Sequence, residues 1–125
     1  MSKIKADTLS NLAGTKEVPV DTVVQGSAKA WVNFNGTGTV AIRAAFNVTS
    51  ITDNGTGDYT VNFTAALPDA NYATNITGNN SNGAATIQGV RDASAAPTTG
   101  AVRLYTLDTG GASLDISLAN VSVFR

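Results

Sequence analysis

The sequence predicts an all-β protein: a β-sandwich or jelly-roll-like barrel of about eight antiparallel strands with an extended N-terminal arm. Three observations carry this expectation. On residues 39–49 every even position is apolar (Val40, Ile42, Ala44, Phe46, Val48), while the odd positions include Thr39, Arg43, Asn47 and Thr49. Side chains alternate across a strand, so this period of two places one face on a core and the other near water. After a second turn the alternation resumes on odd positions, with Tyr59, Val61, Phe63, Ala65 and Leu67. The turn itself, Asn-Gly-Thr-Gly, occurs twice, at residues 35–38 and 54–57. Asn and Gly tolerate the backbone angles that reverse a chain between two strands. Finally, short turn-forming stretches recur along the body, including Pro68-Asp69 and Thr109-Gly110-Gly111.

Taken in order, residues 1–26 read as an extended arm and residues 27–125 as the β-sandwich head. The arm holds six of the seventeen charges and no aromatic residue. Ile4, Leu9 and Leu12 make a poor helical stripe, and Pro19 suits an edge segment because it cannot donate to a ladder. Ile4, Leu9, Leu12, Val18, Val20, Val23 and Val24 give the arm more apolar surface than a frayed terminus needs, so these seven are the candidate interaction residues. In the head, strands are expected over residues 28–34, 39–49, 59–66, 72–77, 85–90, 101–107, 114–118 and 121–124. A four-residue loop in the first hairpin would set Trp31 opposite Ile42, a register in which a slip of one flips every side chain. Loops 78–83 and 92–100 are poor in large apolar residues and are expected to be exposed.

Composition narrows the chemistry. The chain of 125 residues suffices for one domain, and its 34 large apolar side chains make a thin core to which subunit contacts would add. Net charge is −1 with no Lys/Arg cluster, so no nucleic-acid partner is expected. No apolar run approaches a signal peptide or a membrane span, and no membrane partner is expected. Without His or Cys the chain has no imidazole base, thiolate nucleophile or His- or Cys-ligated metal. Asp53 and Asp58 flank the second turn, where Asp satisfies turn amides more often than it pairs for acid-base work. The oxygen-rich run 53–58 lacks the length and bidentate acid of a calcium loop. Gly36-Thr37-Gly38 is too short for a phosphate cradle. Trp31, Tyr59, Tyr72 and Tyr105 could form a sugar-stacking platform, but each lies in an expected strand, where core packing is the commoner fate. The expectation is a non-enzyme with no catalytic, cofactor-binding or metal residues and no cofactor.

The runs 30–43 and 46–63, continued by Leu67-Pro68-Asp69-Ala70-Asn71-Tyr72, resemble a virion structural β module, often described as tail-fibre-like, of tailed bacteriophages of cyanobacteria and marine bacteria. The resemblance is close over residues 28–74 and looser over Lys3-Ile4-Lys5-Ala6-Asp7-Thr8-Leu9. It implies a non-catalytic, usually trimeric module, made in the host cytoplasm and carried on the virion, with phage capsid or tail proteins as partners. A typical fibre adds a shaft and a tip, whereas an arm plus one β module suits a capsid decoration (cement) protein whose arm engages neighbouring subunits. The alternative is a short tail-fibre or spike component that adsorbs to host-surface glycans through loops 78–83 and 92–100.

Overall fold

The computed structural model describes residues 1–83 and 85–125. Its body contains eight strands: β3 (Ala28–Asn35), β4 (Ala41–Phe46), β5 (Val48–Gly55), β6 (Asp58–Phe63), β7 (Ala73–Asn79), β8 (Thr86–Val90), β9 (Ala101–Asp108) and β10 (Leu118–Phe124). They form two four-stranded antiparallel sheets, ordered β4-β3-β10-β7 and β5-β6-β9-β8. The fold is an all-β sandwich. Among the described residues no barrel closes, because β4 and β5 end the sheets on one side and β7 and β8 on the other.

Alternation explains which residues fill the space between the sheets. Ala30, Val32 and Phe34 point inward from β3, and Ala119, Val121 and Val123 from its neighbour β10. Tyr59, Val61 and Phe63 of β6 and Val102 and Leu104 of β9 meet them from the opposite sheet. Phe34 and Tyr59 pack edge to face with ring centroids 5.3 Å apart, an arrangement that brings ring hydrogens onto a π face. Leu67 is buried as the odd-position pattern predicts, whereas Ala65 is exposed because β6 has already ended.

The even-position pattern of residues 39–49 does not lie on one face. Two strands replace the single expected one, and they belong to opposite sheets. The chain changes sheet at Asn47, whose φ of 53° is left-handed. The Asn47 side chain staples this corner: its amide donates to the carbonyls of Lys29 and Ala65, and its Oδ1 accepts from the Ala65 N–H. Within β4 an extra residue interrupts the ladder, so Ala44 pairs with Asn33 but Ile42 pairs with Phe34. This bulge turns Ala44 and Phe46 to the outer face while Ile42 stays on the core side. Trp31 is therefore opposite Phe46, not Ile42. Arg43, the extra residue, donates to the carbonyls of Phe34 and Ser117.

The strands expected at 114–118 and 121–124 are one strand, β10, preceded by a non-strand stretch. Residues 114–117 close one end of the sandwich, with Ile116 fully buried. Both Asn-Gly-Thr-Gly turns dock here. Gly36 donates its N–H to the Ile116 carbonyl, and Gly57 donates to Asp115 Oδ1.

The first 26 residues carry local structure of their own. β1 (Thr8–Ser10) pairs with β2 (Glu17–Pro19), and the helix α1 (Val20–Gly26) follows. Pro19 ends its strand, where the missing N–H costs nothing in the ladder. Asn11 holds the connecting turn by accepting from the N–H groups of Thr15 and Lys16. A helix forms here although the sequence offers only a weak stripe, and no residue of it is buried.

Candidate functional site

The seven arm residues fall into two groups and two outliers. Strand pairing sets Leu9 opposite Val18, so both lie on one side of the small ladder. Val20, Val23 and Val24 share one side of α1 through their i, i+3, i+4 spacing. Ile4 and Leu12 stand apart, both fully exposed. The arm thus shows apolar side chains that the head does not cover.

The edge strand β4 is a second apolar element left uncovered, with Ile42 and Phe46 on opposite faces of it. All six residues of Ala41-Ile42-Arg43-Ala44-Ala45-Phe46 are exposed, with Ile42 at 38% and Phe46 at 55%. As the edge of its sheet, β4 also leaves one side of its backbone without a strand partner. Composition and alternation both mark it as a strand meant for burial, and the single chain does not bury it.

The four aromatic residues suggested as a platform are dispersed. Tyr59 is in the core and Tyr72 packs edge-on against Phe63, with centroids 5.9 Å apart. Tyr105 lies on the outer face of the second sheet, beneath the Arg91 guanidinium at 5.8 Å. Trp31 alone stands on the outer face of the first sheet, 40% exposed. Beside it lie Asn33, Asn120, Ser122, Asn75 and Thr77, around a shallow depression of about 300 Å³. The ladder explains the grouping: Trp31, Ser122 and Asn75 form one cross-strand row, and Asn33, Asn120 and Thr77 the next.

The outer face of the other sheet is organised by charge. Arg103 grips Asp58 with two hydrogen bonds, Nε to Oδ1 at 2.7 Å and Nη2 to Oδ2 at 2.9 Å. Arg91 Nε lies 2.9 Å from Asp58 Oδ2. The Arg103 hydrogen bonds hold the Asp58 carboxyl below the usual carboxylate range, against the opposing effect of burial. Asp53 instead accepts from the Gly55 N–H, the turn role expected of it. The two acids therefore serve separate partners, Asp53 a turn amide and Asp58 two arginines. Among the described residues no three acidic, His or Cys side chains gather as metal ligands.

At the closed end, the Tyr59 hydroxyl lies 2.8 Å from the Gly36 carbonyl and 2.7 Å from Asp115 Oδ1. Burial, and then the neighbouring Asp115, push this phenol well above its ordinary range. Such a group stays protonated and acts as a structural donor. The loops 78–83 and 92–100 are largely exposed, with Gly78 and Asn79 belonging to β7.

Sequence reading named the arm residues but passed over β4 and the Asn-lined depression. The signals were present: the alternation over-supplied apolar residues to 39–49, and Asn33, Asn75 and Asn120 lie in strands that Asn generally avoids. Among the described residues no helix is long and apolar enough to cross a membrane. In comparison with known proteins, no family model, curated protein or solved structure matches this chain.

Proposed function

We propose that this chain is a non-enzymatic bacteriophage virion structural protein, a homotrimeric capsid decoration protein whose arm engages neighbouring subunits. The observation that carries the reading is β4, a six-residue edge strand whose five apolar residues are all exposed. Such an edge invites pairing or aggregation, and a protein that leaves it bare is best completed by another copy of itself. The exposed arm residues Leu9, Val23 and Val24, with the half-buried Val18 and Val20 beside them, supply a second, separate contact for a lattice neighbour. The resemblance of residues 28–74 to virion β modules supplies the biological setting.

Two variants separate the contacts. Sedimentation of the wild-type chain is expected to give a trimer, and the I42K/F46K double variant a folded monomer. Deletion of residues 1–20 is expected to leave the trimer intact but abolish its attachment to capsids in a co-sedimentation assay. A wild-type monomer would remove the assembly reading. Unchanged capsid occupancy after the deletion would remove the arm's role, and immunogold label confined to the tail would place the module in a fibre.

A further inference from the structure

The depression beside Trp31 lies one strand in from the edge strand β4 and is lined by uncharged polar side chains. Its outward-facing residues are Trp31, Asn33, Asn75, Thr77, Asn120 and Ser122, none of them charged, with the inward-facing Val32 and Val121 between them. Asn33 donates to Asn120 Oδ1 at 2.6 Å, a bond that uses neither Asn33 Oδ1 nor the Asn120 amide N–H groups. Among the described residues, the side chains of Asn75, Thr77 and Ser122 have no hydrogen-bond partner. A dry protein surface laid over five such groups would strand them without water, at a cost for each.

We propose that this depression binds a neutral saccharide, with Trp31 stacking on a pyranose ring and Asn33, Asn75, Thr77, Asn120 and Ser122 bonding its hydroxyls. A sugar hydroxyl both donates and accepts, so it matches amides and hydroxyls that each offer both roles. The axial C–H groups of a pyranose suit the negative face of the indole ring. With no charged residue in the lining, the site selects against sulfated or carboxylated sugars, whose charge would go uncompensated. The volume of about 300 Å³ is at the lower limit for ligand sites and suits one or two sugar rings. Ser122 forms the low centre of its row between the larger Trp31 and Asn75, and the Asn33–Asn120 bond fixes two of the amides in advance. This site is built from strand residues of β3, β10 and β7 on the outer sheet face, and the proposal is the same whether the module sits on a head or a tail.

Trp31 is the sole tryptophan, so its fluorescence reports directly on the site. The full-length chain is titrated with glucose, mannose, galactose, N-acetylglucosamine and chitobiose, with a heparin disaccharide as the charged control. At least one neutral sugar is expected to give a saturable fluorescence change at millimolar concentration, as befits a shallow site. In parallel NMR spectra the side-chain amides of Asn33, Asn75 and Asn120 should shift together. W31A and, separately, N75A should weaken the NMR-detected binding at least tenfold while their circular dichroism spectra and melting temperatures stay close to wild type. The proposal fails if no neutral sugar gives a saturable response up to about 50 mM, or if the charged disaccharide binds equally well. It also fails if both variants bind normally, or if the three amides shift with protein concentration alone, which would make the surface a contact between copies.

Discussion

Gly57 and Gly38 occupy the same position in the two Asn-Gly-Thr-Gly turns and both have positive φ, 65° and 61°. Their surroundings differ. A Cβ on Gly57 would fall 2.3 Å from the Thr106 carbonyl oxygen and 2.8 Å from the Leu114 nitrogen, whereas one on Gly38 would meet nothing. Gly57→Ala is therefore expected to cost about 3 kcal/mol or more, by strain plus backbone displacement. Gly38→Ala should cost about 1–2 kcal/mol from the left-handed backbone alone; urea unfolding of the two variants measures the difference. Tyr59→Phe removes the donor shared by Gly36 and Asp115 and is expected to cost about 1–3 kcal/mol. In the same unfolding assay, a loss below a few tenths would show that the hydroxyl bonds no better than water would. The repeat was legible in the sequence. That one copy is buried through its second residue, Gly36, and the other through its fourth, Gly57, was not, because the deciding neighbours lie at residues 106 and 114–116.

At the scale of elements, Asp58 ties β6 to β9 through Arg103 and to the end of β8 through Arg91. Its carboxyl is held below the unfolded value, so folding favours the ionised form. The stabilisation is complete above the unfolded pKa of about 3.9 and fades as pH falls through the depressed folded value. D58N is accordingly expected to be less stable than wild type at neutral pH and to lose less stability on acidification below about pH 4. Equal acid slopes for the two proteins, measured by thermal melts from neutral to acid pH, would contradict this. The odd-position run Tyr59, Val61, Phe63 was read correctly from alternation because β6 is flanked on both sides, by β5 and β9, and carries no bulge. The run 39–49 looked just as regular and was broken by two events that alternation cannot signal: the bulge at Arg43 and the change of sheet at Asn47.

For the whole molecule, the open side at β4 makes a thermodynamic prediction. If copies bury this edge, folding is linked to association, and the melting temperature rises with protein concentration. The I42K/F46K variant should melt at a temperature independent of concentration. A concentration-independent wild-type melt over two decades would mean that each chain is stable alone. The sequence alone determined the all-β class, the strand-bearing body and the distinct character of the first 26 residues. These follow from side-chain alternation, turn residues and composition, which act between near neighbours. The tertiary structure decided which apolar strand stays uncovered at a sheet edge, how two similar turns meet one buried segment, and why Trp31 stands among asparagines rather than in the core. Those outcomes depend on pairings between strands far apart in the chain, and a single inserted residue in a ladder is enough to exchange inside for outside.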